Sequence, residues 1–214
     1  MRIVSAKAEI LTRTCGSGSM LQSIEVAART CYKSEANING GSAAKLVGGL
    51  IRHGHEAMLE HASITVRFTV DRGVSHELVR HRIASFAQES TRYCNYSLAG
   101  FGTELTFIRP CYMDKYSAAM AIWTRHMQQA EDAYFNLLDF GLAPQEARAV
   151  LPSSLKTEVV MTANLREWRH FFKLRAAGAT GAPHPQMLEV TVPLLADMKR
   201  RVPVVFDDIQ PMRR

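Results

Sequence analysis

The sequence predicts an α+β or irregular α/β fold, formed as one domain over residues 1–214, and three stretches carry that expectation. From Ile64 to Val70, the apolar residues Ile64, Val66, Phe68 and Val70 alternate with Thr65, Arg67 and Thr69, the pattern of a half-buried strand. Thr157 to Thr162 is rich in β-branched residues and reads as a second strand. Between them, Met113 to Phe140 places Tyr116, Met120, Trp123, Met127, Ala130, Tyr134 and Leu137 at three- and four-residue intervals, which predicts a long amphipathic helix ended by Gly141. Its aromatic residues are expected in the core.

The other elements follow along the chain. Ser42 to Arg52 carries Ala43, Ala44, Leu46, Val47, Leu50 and Ile51 near helical period, with Gly54 as its stop, so His53 and His55 are expected at its exit. Asp71 offers a cap to a short helix, Val74 to Val79, from whose last turn Arg80 to Arg82 emerge. The residues that follow, as far as Ser90 and Arg92, are expected on a loop. Pro144 suits the first turn of a helix running to Val150 and carrying Arg148. Asn164, with Glu167 three residues later, has a capping-box pattern. The helix it starts should turn Trp168, Phe171, Phe172 and Arg175 to one side, and Arg166, Arg169, His170 and Lys173 elsewhere. Ala176 to Pro185 reads as a Gly/Pro-rich loop, and Leu188 to Met198 as a helix despite Pro193.

Composition narrows the function classes. At 47% hydrophobic and 21% charged, the 214 residues can bury an ordinary core, which excludes a disordered chain. No apolar run is long enough to span a bilayer, and Met1-Arg2-Ile3-Val4-Ser5-Ala6-Lys7 lacks a signal-peptide core, so a cytoplasmic protein with no membrane partner is expected. Cys15, Cys31, Cys94 and Cys111 stand at no metal-ligand or redox spacing and are expected as free thiols. The formal charge of +6 favours anionic partners. Arginines in separated blocks, without a lysine-rich tail, favour small phosphorylated ligands over nucleic acid.

The densest chemistry lies from Arg80 to Arg92, where three guanidinium groups, His81, Ser85 and Ser90 fall within thirteen residues. Guanidinium forks match phosphate oxygens bidentately, so the run reads either as an anion site or as a solvated basic face. His53, His55, Glu56, Glu60 and His61 invite a metal reading, but Leu59 stands where a metallopeptidase helix would need its second histidine, so no metal is expected. There is no Gly-x-Gly-x-x-Gly fingerprint of a Rossmann cofactor domain.

Arg80-His81-Arg82, seven residues and then Ser90-x-Arg92, resembles the signature of the flavin-dependent thymidylate synthases. So do His53-Gly54-His55-Glu56 with Glu60-His61, Arg148 in its Ala-Arg-x-x-Leu-Pro stretch, and Asn164-Leu165-Arg166 followed by Leu174-Arg175. The resemblance implies that family's fold, with a small, mostly antiparallel sheet and long helices. It also implies reductive methylation of dUMP to dTMP, with FAD as cofactor, NADPH as reductant, methylenetetrahydrofolate as one-carbon donor and no cysteine nucleophile. By resemblance, Arg175 activates the pyrimidine. Glu77, Arg80, Gln88, Glu89, Ser90, Arg92 and Arg148 join it in binding dUMP. His55, Ala57, Arg80, His81, Arg82, Gln88, Asn164, Arg166 and His170 bind the flavin, and a homotetramer with active sites shared between subunits is implied. Ala57 and Met58 replace the hydroxyl residue and proline often found after the His-Gly-His block, which leaves Ala57 only backbone or packing contacts. Gln88 stands where several relatives have glutamate and Glu89 follows it, so either could face the nucleotide; His170 replaces an asparagine.

Overall fold

The computed structural model describes residues 1–12 and 17–212, and Cys15 lies outside them. The elements are β1 (Arg2–Val4), β2 (Lys7–Ile10), α1 (Ser17–Thr30), α2 (Ser42–Arg52), β3 (Ser63–Asp71), α3 (Arg72–Leu78), β4 (Ala84–Gln88), β5 (Thr106–Ile108), α4 (Ala118–Asp139), α5 (Pro144–Ala147), β6 (Lys156–Asn164), α6 (Leu165–Arg175) and α7 (Pro185–Arg201). The architecture is α+β with a small antiparallel sheet, as the sequence predicts. Its strand order is β2-β3-β6-β4, and β1 pairs separately with β5 in parallel. Hydrogen bonds from Leu165 N to Ala62 O at 2.9 Å and from Arg72 N to Leu155 O at 3.2 Å run in opposite chain directions, so β3 and β6 are antiparallel.

The chain forms two compact units. One comprises residues 1–7, 68–80 and 87–159; the other comprises residues 8–67, 81–86 and 160–214. The core of the first is built on α4, whose Met120, Trp123, Met127, Ala130 and Tyr134 are buried with Tyr96, Leu105, Phe107 and Leu155. Trp123 Nε1 donates to Ser154 Oγ at 3.1 Å, which satisfies the polar atom of that ring. Tyr116 is the exception among the expected core aromatics: at 88% exposure it lies in the turn before α4. The helix starts at Ala118 rather than Met113 because the extended Ser117 accepts from Met120 N at 3.1 Å and caps it there.

In the second unit, α6 supplies an aromatic cluster. Trp168 meets Phe171 and Phe172 at ring separations of 5.3 and 5.8 Å, and Phe172 meets Phe206 at 5.6 Å. Trp168 Nε1 donates to Ile64 O at 3.0 Å, which ties the helix to β3. Arg169 was expected to point away from the apolar side, yet it is buried. Its Nε donates to Glu56 Oε1 at 3.0 Å, its two Nη groups donate to Asp208 at 2.6 and 2.8 Å, and Nη1 also donates to Val205 O. Four acceptors offset the desolvation of a charge that hydropathy would place in water.

Two further expectations are corrected. Residues 84–88, expected on a loop, form β4, an edge strand whose side chains alternate in exposure and whose following residue Glu89 donates its N–H to Glu158 O at 2.9 Å. The helix from Pro144 stops at Ala147 and tightens into a 3-10 turn over Arg148–Val150. Asn164 caps α6 by accepting from Glu167 N at 2.8 Å, but the Glu167 carboxylate goes to His81, so only half of the expected capping box forms. Replacing Asn164 with alanine should cost about 1 kcal/mol in urea unfolding, the ordinary value of a lost N-cap.

Candidate active site

The site residues expected from the sequence fall into two groups. Glu77, Arg80, Gln88, Glu89, Ser90, Arg92 and Arg148 lie in the first unit, and His55, Ala57, His81, Arg82, Asn164, Arg166, His170 and Arg175 in the second. Most of the nucleotide set thus belongs to one unit and most of the flavin set to the other, with Arg80 and Gln88 carried in both sets and Arg175 in the nucleotide set.

The first unit holds its set on the end of β4 and the segment after it. Gln88 Nε2 donates to Ser75 Oγ at 3.1 Å and to Thr157 Oγ1 at 3.3 Å. Glu89 is fixed from three directions: Tyr96 Oη donates to one oxygen at 2.9 Å, and Lys156 Nζ at 2.8 Å and Glu158 N at 3.1 Å reach the other. Burial, and then the Glu89 charge, push the Tyr96 phenol well above its ordinary range, so this contact keeps its proton on tyrosine. Ser90 Oγ accepts from Arg92 N at 3.3 Å, Arg92 Nε donates to Gln145 Oε1 at 3.0 Å, and Arg148 Nη1 donates to Thr91 Oγ1 at 3.4 Å. One nitrogen of each guanidinium is thereby oriented, and the exposed Arg80 completes a cationic segment.

In the second unit, His81 joins the signature to α6. Its Nδ1 lies 3.1 Å from Glu167 Oε1, and Arg175 Nε donates to its Nε2 at 3.2 Å. A carboxylate only accepts and a guanidinium only donates, so His81 is the neutral tautomer with its proton on Nδ1. Burial, the Arg175 charge and His170 hold its pKa down to about 4, despite the nearby carboxylate. His81 also packs edge-on to Phe171 at 4.9 Å and to His170 at 5.9 Å.

Among the described residues, His81, Glu167 and His170 bring their ligand atoms within 4.8 Å of one another, a spacing an ion could bridge. Both His81 nitrogens are already hydrogen-bonded, so Glu167 and His81 read as a hydrogen-bonded chain ending on Arg175, with the His170 ring packed beside it. The sequence reading missed Glu167 here; its Glu-x-x-His spacing to His170 along α6 was the available signal.

The His-Gly-His block serves α6 differently. Gly54 adopts φ +74° as α2 ends, and His53 Nδ1 lies 2.8 Å from Gly49 O. Glu56 pairs with Arg169, and Glu60 Oε1 accepts from Arg166 Nη1 at 2.6 Å. His53 and His55 also line a cavity of about 660 Å³ with Arg29, Asn39 and Lys45.

The family model described as thymidylate synthase complementing protein matches residues 17–204. A curated flavin-dependent thymidylate synthase from Geobacter sulfurreducens is 32% identical over 88% of this chain and 81% of its own length. The chain belongs to the flavin-dependent thymidylate synthase family. A family member from Pyrococcus furiosus is 33% identical over 84% of this chain and 70% of its own. Among solved structures, a UMP/dUMP methylase from Streptomyces cacaoi bound with 5-Br dUMP superposes with a TM-score of 0.80 at 26% identity, covering 97% of this chain and 96% of that one.

The donor set of this flavin-dependent thymidylate synthase homologue suits a flavin dinucleotide. A diphosphate needs cations and a redox ring needs hydrogen-bonding groups. The second unit offers exposed His55, Arg82, Arg166 and His170 beside buried His81 and half-buried Asn164 and Arg175. Among the described residues, no helix is long and apolar enough to cross a membrane.

Proposed function

We propose that this protein is a cytoplasmic enzyme, built as one domain, that reductively methylates dUMP to dTMP, with methylenetetrahydrofolate as one-carbon donor and NADPH as reductant of FAD. The observation that carries the reading is the Arg175–His81 hydrogen bond, which joins two family motifs 94 residues apart. His55, Ala57, Arg80, His81, Arg82, Gln88, Asn164, Arg166 and His170 would hold FAD, which supplies the redox chemistry when bound.

The chain's own residues then have defined tasks. Methylation at carbon 5 of uracil needs negative charge to build on the ring, and the Arg175 guanidinium stabilises that charge by charge-assisted hydrogen bonds. Its Nε donates to His81, which orients the guanidinium. Arg80, Arg92 and Arg148 bind the phosphate and sugar with Glu77 and Ser90. Of the two neighbours left open by the sequence, we assign Gln88 to the nucleotide, because Glu89 spends both oxygens on Tyr96, Lys156 and the Glu158 amide. Cys94 packs against the α4 core cluster and is a bystander rather than a nucleophile. A homotetramer would let neighbouring copies enclose three ligands that so small a chain encloses poorly alone.

A second substrate reading comes from the Streptomyces methylase, whose name covers UMP as well as dUMP and whose length matches this chain more fully than the thymidylate synthases do. Purified protein, assayed anaerobically with FAD, NADPH and methylenetetrahydrofolate, should form dTMP from dUMP and lose all product when any one component is omitted. Faster methylation of UMP would replace the substrate assignment. No product from either nucleotide, with flavin bound and reducible, would overturn the reading.

A further inference from the structure

We infer that Glu167 is a positioning residue for this reaction: through His81 it fixes the guanidinium of Arg175 in the orientation that meets the pyrimidine. The inference rests on the proposed methylation reaction and deepens it, and no motif resemblance assigned Glu167 a role.

Three features of the geometry carry it. Glu167 is buried at 6% exposure, although its position three residues into a helix would let its side chain return to the cap in water. It instead reaches His81 across 86 residues of sequence. His81 is itself 5% exposed and is held against the Phe171 ring, so the imidazole has little freedom to turn. Its Nε2 receives Arg175 Nε–H at 3.2 Å, and Arg175 lies on the same helix as Glu167, two turns on. The carboxylate and the guanidinium are thus anchored on one rigid element and joined by one imidazole.

The chemistry follows from the tautomer. An ionised Glu167 can only accept, which keeps the proton on Nδ1 and leaves Nε2 as an acceptor for Arg175. The opposite tautomer would set an N–H of His81 against the N–H of Arg175 and expel the guanidinium from this position. The carboxylate also polarises the ring, which strengthens its acceptor end without placing a charge there. Arg175 therefore keeps its full positive charge while losing its rotational freedom, and a charge-stabilising group that is ordered before reaction needs no reorganisation as charge develops. The His170 ring, exposed and on α6, also lies beside His81 at 5.9 Å. Burial holds Glu167 above its ordinary carboxylate range, and the His170 charge opposes that rise.

Glu167→Ala and Glu167→Gln test the assignment in the flavin-loaded full chain. For Glu167→Ala, kcat for dTMP formation should fall about 10- to 100-fold, the scale of a misplaced reacting group, with KM for dUMP and flavin content unchanged. Glu167→Gln, whose amide oxygen still accepts from Nδ1, should recover most of that loss. An unchanged kcat in Glu167→Ala, or a fall matched by lost flavin, would overturn the role, and if the alanine variant does not fold, a glutamine variant no better than background would do the same. Nitrogen-15 NMR of histidine-labelled wild-type protein gives a readout independent of turnover: the His81 Nδ1 should carry the proton and Nε2 should not. Protonated Nε2 would overturn the inference whatever the enzyme methylates. Failure of the wild-type protein to make dTMP, with the expected tautomer present, would instead overturn the functional reading and leave the hydrogen-bonded chain standing.

Discussion

Replacing Arg169 with methionine should destabilise the protein by about 3 kcal/mol, the lower end of the cost of breaking a buried ion pair from one side. Methionine fills much of the space but leaves Glu56, Asp208 and the Val205 carbonyl without the guanidinium that all three share. Asp208 sets the lower end of the range: its side chain is 50% exposed and rehydrates when its partner is lost, whereas Glu56, at 21%, does so less well. Arg169→Lys should recover only part of the loss, because an ammonium cannot reproduce the paired contacts to both Asp208 oxygens. The effect has an acid signature. The Arg169 hydrogen bond holds the Asp208 carboxyl below its ordinary value of 3.8, so Asp208 stabilises the folded state above that pH and loses its contribution as the pH falls through the lower folded value. Chemical unfolding at neutral pH and near pH 3 should therefore show a difference between wild type and Arg169→Met that narrows in acid.

Arg175→Ala should lower kcat for dTMP formation by about 10²- to 10³-fold, the typical cost of removing one donor that stabilises developing charge. On the proposed assignment the loss should fall on kcat more than on dUMP binding, since Arg80, Arg92 and Arg148 would remain to hold the phosphate. Flavin content should stay close to wild type. Arg175→Lys should remain impaired, because an ammonium cannot reproduce the planar fork of guanidinium donors of which one meets His81. Stopped-flow reduction of the bound flavin by NADPH, followed by dTMP quantitation, separates these steps. Wild-type kcat in Arg175→Ala would remove the catalytic assignment.

Much of the fold was legible because local chemistry and tertiary environment agree. The alternation from Ile64 to Val70 survives in the structure as strand β3, and the apolar period of residues 42–52 gives α2 with the expected ends. Strand β4 was hidden because Ala84, Ser85 and Gln88 carry little strand propensity, and backbone pairing at the sheet edge outweighs it. The burial of Arg169 was hidden for a related reason: its acceptors Glu56, Val205 and Asp208 lie far from it in the sequence. The candidate site was legible as a set of residues, through motifs, but not as a network. Nothing local to Glu167 says that its side chain leaves the cap for His81, and nothing near Glu89 says that Tyr96 and Lys156 immobilise it.

The pairing of β1 with β5 carries a consequence for how the chain is made. Arg2 lies opposite Thr106 and Val4 opposite Ile108, in parallel register, so this pair cannot close as a hairpin. During synthesis from the amino terminus, β1 leaves the ribosome and must wait for about a hundred further residues before its partner exists. A strand left open for that long, with Ile3 and Val4 on it, is a candidate for mispairing with other chains. Expression yield should therefore depend on translation speed and chaperone supply more steeply than the stability of the finished fold would suggest.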